Sequence, residues 1–258
     1  MLVVNNLFAG YNRTNVIFDI SFKAERGESF CVLGPNGCGK STLLKSVARI
    51  IDYTGSVSIN NEDISAVSRK ELAKKIALLY QNAHPAGAAQ VYFPYTVYET
   101  VCMGRYAYSK GFLKKLSGED ENIIEDILVK LDLVKIKNNM IDELSGGTLQ
   151  RVFLARTLAQ TPDLILLDEP ANHLDLKHQI ELLEFLKLWV KENNTIVIGV
   201  FHDLNLARQF GDKAIIMNKG KIAANGNIDE IFNSEILNDV YGIDIRKFMN
   251  DSFEKWKR

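Results

Sequence analysis

The chain is short of cysteine, proline and net charge, and each shortage closes off a class of protein. Its three cysteines, Cys31, Cys38 and Cys102, are an odd count with no C-x-x-C pairing. That excludes a disulfide framework or a cysteine-built zinc site and fits a reducing compartment. Lys and Arg number 31 against 32 Asp and Glu, a formal charge of -1, so no basic surface advertises nucleic-acid binding. No apolar run approaches the ~20 residues of a membrane span. The longest runs, such as 195–201, have the length of a strand. The start, Met1-Leu-Val-Val-Asn-Asn, lacks the charged, apolar and cleavage regions of a signal peptide. Repeats and low-complexity segments are missing as well. What is abundant is hydrophobic content, 47% of 258 residues, enough to fill the core of one large domain or two small ones. A soluble cytoplasmic protein is expected.

Against this background one stretch stands out, Gly34-Pro-Asn-Gly-Cys-Gly-Lys40-Ser41, with the spacing G-x-x-x-x-G-K-S. Glycines at these positions let successive backbone N–H groups turn inward and form a concave nest for phosphate oxygens. Lys40 adds a charge that reaches the outer phosphates, and the Ser41 hydroxyl suits Mg²⁺. The apolar run 30–33 reads as a strand feeding this loop, and 41–49 as a helix whose N-terminus faces the anion. Gly34, Asn36, Gly37, Cys38, Gly39, Lys40, Ser41 and Thr42 are therefore the expected nucleotide-binding residues. Cys38 lies inside the loop, so a bulky thiol reagent is expected to block binding and ATP to protect the thiol.

Around the loop, strand and helix patterns alternate. Strands are expected at 2–8, 16–23, 29–33 and 57–60, with turns at Gly10, at Arg26-Gly27 and at Asn60-Asn61. A short helix at 68–75 precedes a buried strand at 76–80. From 97 to 159 the period turns helical, with Ile123, Ile127, Val129 and Leu131 as apolar positions of amphipathic helices. Strands return at 164–167 and 195–201, with a helix carrying Ile180, Leu183, Leu186 and Val190 between them. A helix at 204–210 and a hairpin turning at Lys219-Gly220 follow. This alternation implies α/β architecture, a parallel sheet interrupted by a helical insert.

Two further constellations carry chemistry. Leu164-Ile-Leu-Leu-Asp168-Glu169-Pro170 is an apolar strand ending in two carboxylates. Open α/β sheets gather ligand chemistry at that end of a strand. Asp168 could hold the Mg²⁺ shell and Glu169 could orient or deprotonate an attacking water. Alone, such a pair would read as a solvated turn. Leu144-Ser145-Gly146-Gly147-Thr148-Leu-Gln-Arg opens a helix that Ser145 can cap, with glycines exposing N–H groups to an anion.

Taken in order, these motifs resemble the ATP-binding cassette family over essentially the whole chain. The resemblance implies a P-loop ATPase domain with a RecA-like core, an N-terminal antiparallel β subdomain and an inserted α-helical subdomain. The corresponding spans are about 1–85 and 160–245 for the core, 86–159 for the insert and 246–258 for a tail. It implies that Tyr11 stacks on adenine, that Gln81 senses Mg²⁺ and γ-phosphate, and that His202 is the switch histidine. It also implies that Asp175, in Asn172-His173-Leu174-Asp175, communicates across a dimer. Ser145, Gly146 and Gly147 would complete the site of a second copy. ATP and Mg²⁺ are the implied cofactors, with Ser41, Gln81 and Asp168 at the metal and Glu169, His202, Lys40 and Gln81 in hydrolysis. Thr148 stands where the family commonly has Gln or Glu, and the loop after Gln81 is longer than usual.

Shorter matches, Pro94-Tyr-Thr-Val97, Val101-Cys-Met-Gly-Arg105, 201–207 and Val240-Tyr-Gly-Ile-Asp244, resemble ATPases of iron–siderophore, haem, cobalamin and related oxyanion importers. The implied partners are a second copy, separate permease subunits at the inner face of the membrane and, indirectly, a substrate-binding protein. An exporter with a separate permease is the alternative. A nucleic-acid-directed cassette would want a coiled-coil insertion, tandem cassettes or a basic surface. A guanine-nucleotide switch would want Asn-Lys-x-Asp, and Asn218-Lys219-Gly220-Lys221 lacks the final acid.

Overall fold

The computed structural model describes residues 1–80, 95–109, 116–172 and 174–256. Gln81, the loop after it and His173 lie outside these. β1 (Leu2–Tyr11) and β2 (Thr14–Ala24) form an antiparallel hairpin, with Tyr11 opposite Thr14. The turn is Asn12-Arg13, both at positive φ, and not Gly10, which stays in the strand opposite Asn15. A two-residue hairpin turn of this hand needs left-handed backbone at both positions, which Asn tolerates better than most residues. β3 (Ser29–Leu33) then leads to α1 (Lys40–Val47). β4 (Tyr53–Ile59) and the short β5 (Glu62–Asp63) rejoin the hairpin in a sheet ordered β2-β1-β4-β5.

α2 (Arg69–Lys75), capped by Ser68, precedes β6 (Ile76–Leu79). Three helices follow, α3 (Val97–Cys102), α4 (Gly118–Lys130) and α5 (Gly146–Ala159). Thr96 with Glu99 and Ser117 with Asp120 form reciprocal capping boxes at the first two, satisfying N–H groups that a helix start leaves open. On α4 the buried stripe is Ile124, Ile127 and Leu128, whereas Val129 is 65% exposed. The 3.6-residue period turns Val129 to the outer face even though the buried Ile127 and Leu128 directly precede it.

The second half alternates β7 (Leu164–Asp168), α6 (Leu176–Glu192), β8 (Ile196–Val200), α7 (Leu204–Phe210) and β9 (Lys213–Asn218). β10 (Lys221–Asn227) returns antiparallel on β9, and α8 (Ile228–Asn233), α9 (Glu235–Tyr241) and α10 (Ile245–Trp256) close the chain. The span expected as a tail is thus a helix as far as Trp256. The six strands order as β10-β9-β3-β8-β7-β6, with every pairing from β9 to β6 parallel.

The core is split by this sheet. Cys31 and Leu33 of β3 and Ile165 and Leu167 of β7 join the cluster shared with α5, α6 and α7. Phe30, Val32, Leu164 and Leu166 join the cluster under α1 and the antiparallel sheet. Alternate side chains of a strand face opposite sides, so a strand covered on both must be apolar throughout. That is why 30–33 and 164–167 read as unbroken hydrophobic runs. It also leaves the C-terminal ends of β3, β7 and β8 side by side.

Candidate active site

At the end of β3 the loop 34–39 turns into α1, whose N-cap is Gly39 at φ 106°. A Cβ at Gly39 would meet the Ile17 side chain at 2.6 Å, so only glycine lets the loop lie against β2. No side chain caps α1. Its first-turn N–H groups thus have no side-chain acceptor and suit an anion. Lys40 is buried, and its Nζ donates to the carbonyl oxygens of Gly34 at 2.8 Å and Pro35 at 3.1 Å. The ammonium therefore sits in the mouth of the loop. Asn36 and Gly37 form its exposed rim, and Thr42 is buried one residue beyond Ser41.

Cys38 departs from expectation. Its thiol faces the protein beneath the loop, is only 4% exposed, and burial raises its pKa above the ordinary thiol range despite Lys40. A buried thiol of raised pKa reacts slowly with alkylating reagents, so the expected block of binding is one that develops slowly.

Ser41 Oγ donates to Asp168 Oδ1 at 3.2 Å, joining the start of α1 to the end of β7. Burial pushes the Asp168 carboxyl above its ordinary range. The Ser41 hydrogen bond opposes this, Glu169 adds to it, and Lys45 and Lys40 pull back. The donor pair is hard oxygen, the chemistry of Mg²⁺. Among the described residues no group of three His, Cys, Asp or Glu could hold a metal unaided. This pair fits a metal whose remaining ligands are water and phosphate.

Glu169 follows at φ 54°, a left-handed backbone uncommon for a non-glycine residue and typical of functional turns. Its N–H donates to Val200 O at 3.2 Å, which aims the residue across the end of β8. There His202 Nε2 meets one carboxylate oxygen and Asn172 Nδ2 donates to the other. Asn172 is a site contact that sequence reasoning missed. Its only signal was its position in the loop that also carries Asp175.

Tyr11 stands 42% exposed at the end of β1, with Lys45 Nζ 5.7 Å from its ring centroid and 5.1 Å from that of Tyr80. Lys45, also missed, lies where it faces both an aromatic pair and Asp168. Ser145 caps α5 by accepting from Thr148 N–H at 3.3 Å, and its hydroxyl also meets the Thr148 hydroxyl at 2.9 Å. Gly146 and Gly147 are the open first turn of that helix. Asp175 caps α6 through His178 N–H and pairs with the His178 ring at 2.8 Å. Neither Ser145 nor Asp175 is hydrogen-bonded to the phosphate loop among the described residues. Gln81 lies outside them.

Residues 17–172 match the ABC transporter family. The chain is 37% identical over 245 residues to the iron(3+)-hydroxamate import ATP-binding protein FhuC of Bacillus subtilis, covering 94% of this chain and 88% of FhuC. It is 36% identical over 238 residues to the ferric enterobactin transport ATP-binding protein FepC of Escherichia coli, covering 92% and 85%. The dimeric post-hydrolysis structure of the ATP-binding cassette MJ0796, bound to ADP and Pi, superposes with a TM-score of 0.75 at 28% identity, covering 88% of this chain and 99% of the cassette. By the loop geometry, the fold and these likenesses, the chain belongs to the ABC transporter family.

Proposed function

We propose that the chain is the ATP-hydrolysing subunit of an importer for a metal chelate, of the siderophore, haem or cobalamin kind, acting through a separate permease. One observation carries the reading. The Ser41–Asp168 hydrogen bond and the His202–Glu169–Asn172 contacts bring a metal-binding pair and a gripped carboxylate together at the strand ends beside Lys40. The import role and the chelate rest on the relatives' names, FhuC and FepC among them. No helix among the described residues is long and apolar enough to cross a membrane. In this reading the translocation path belongs to a partner, and this subunit acts from the inner face of the membrane.

In this proposal the backbone of 34–39 and Lys40 bind the phosphates, while Tyr11 takes the adenine face. Ser41 and Asp168 would hold Mg²⁺, which when bound offsets phosphate charge; Gln81 is assigned there with them. Glu169 takes the proton of the attacking water, with His202 and Asn172 fixing its orientation until water enters. Ser145, Gly146 and Gly147 serve the site of a second copy, as no hydrogen bond among the described residues joins them to their own loop, and Asp175 lies between the two copies.

The test is the loop lysine. Wild-type chain is expected to hydrolyse ATP in the presence of Mg²⁺, and Lys40→Ala to fall to background, because it deletes the cation in the nest. Near-normal turnover by purified Lys40→Ala would overturn the site. Reconstitution with its permease in vesicles then tests the cargo: ATP-dependent uptake of a ferric siderophore, haem or cobalamin is expected. Transport only in the outward direction would refute import.

A further inference from the structure

Gly34 begins the phosphate loop at φ 142°, and a Cβ there would stand 2.2 Å from the Met217 carbonyl oxygen and 2.8 Å from Cys38 Sγ. The loop therefore starts wedged against β9. The buried Gly34 N–H donates at 3.0 Å to the hydroxyl of Tyr241, the last residue of α9 and 207 positions away. Tyr241 packs on the same cluster as Leu33 at the end of β3. Its placement is set by the close of its own helix. The Gly242 N–H, at φ 71°, bonds Asn238 O at 2.8 Å, and the Asn238 side chain accepts the N–H of buried Ile245 at 3.0 Å. Burial raises the Tyr241 phenol above its ordinary pKa, against the Gly34 hydrogen bond, so the group stays neutral at physiological pH.

We propose that Tyr241 is a positioning residue for nucleotide binding, its hydroxyl holding the first peptide of the phosphate loop in the shape that receives phosphate. The inference rests on 34–42 being the nucleotide loop. A buried N–H without a partner is costly, so a loop that loses the hydroxyl relaxes until water reaches Gly34. Binding must then reverse that relaxation. The cost appears in affinity, whereas the saturated enzyme, its loop already ordered by phosphate, keeps its rate.

Tyr241→Phe removes the hydroxyl and keeps the ring. In the full-length chain we expect Kd for Mg-ADP and KM for Mg-ATP to rise about 3- to 30-fold. We expect kcat to stay within about twofold and the thermal midpoint without nucleotide to shift by less than about 2 °C. A merely structural tyrosine would lower the midpoint and leave both constants unchanged, and that result overturns the proposal. Wild-type values throughout overturn it equally. Lys40→Ala, measured alongside, separates the two claims. If it also retains affinity, the nucleotide-loop reading fails. If it loses affinity while Tyr241→Phe does not, only the role of Tyr241 falls.

Discussion

Asp168 is a carboxylate held in a place that disfavours its charge. Burial raises its pKa, and the Ser41 hydroxyl and two lysines compensate incompletely. An acid whose folded pKa lies above its unfolded value binds protons more tightly when folded. Its charged form thus destabilises the native state, and the penalty grows as pH rises from the unfolded value of about 3.9 towards the folded one. Asp168→Asn removes that penalty. The variant without nucleotide is expected to melt about 1–4 °C higher than wild type at pH 7, with the gain vanishing below about pH 4. Its Mg²⁺-dependent hydrolysis should meanwhile collapse. Scanning calorimetry across pH, paired with an ATPase assay, checks both halves, and a lower melting point at pH 7 would contradict the electrostatic account. At this scale the sequence was legible wherever an arrangement is carried by neighbours in the chain. The loop 34–42 and the Asp168-Glu169 pair belong to that class. Lys45 and Tyr241 were not, because each acquires its partner only when distant strands and helices meet; Asn172 lies three residues from Glu169 and reaches it only through the turn made by the left-handed backbone of Glu169.

At the scale of elements, Arg105 holds the helical part together. It is buried after α3, donates from Nε to Asp120 at 2.7 Å, and reaches Ala159 O and Thr161 Oγ1 at 2.9 Å each. Tyr108 stacks on its guanidinium at 3.7 Å. Burial pushes the Asp120 carboxyl up, but Ser117 and Arg105 together bring it below its ordinary value. Stability from a depressed acid is present above its unfolded pKa and is lost as pH falls through the folded one. Arg105→Ala leaves a buried carboxylate unpaired at neutral pH, and removing one partner of a buried pair costs about 3–5 kcal/mol. Chemical denaturation should show that loss at pH 7 and a smaller gap to wild type below about pH 4; an equal gap at both would contradict it. The element patterns explain what the sequence could show. Strands buried on both faces announced themselves as unbroken aliphatic runs. Val129 and the Asn12-Arg13 turn did not, since an error of one residue in helical phase, or of two in turn position, leaves the apolar count unchanged.

For the whole molecule, the arrangement of motifs is the argument. Lys40, Asp168 and Glu169 converge on one site, while Ser145, Gly146 and Gly147 open a separate helix that no hydrogen bond among the described residues joins to it. One chain holds one copy of each, so in the proposed mechanism two chains exchange them, and ATP held between both favours closure by adding contacts the open state lacks. Glu169→Gln keeps the shape that His202 and Asn172 grip but removes the charge that takes up the water proton. Loss of a general base lowers the rate by about 10²–10⁴-fold while binding survives, so ATP should stay in place and hold the pair shut. The most direct measurement is size-exclusion chromatography with light scattering on Glu169→Gln in saturating Mg-ATP. A dimer is expected that disappears without ATP and reverts to monomer when Ser145→Arg is added. A Glu169→Gln chain that binds Mg-ATP yet stays monomeric, alone and alongside its permease, would contradict the composite site.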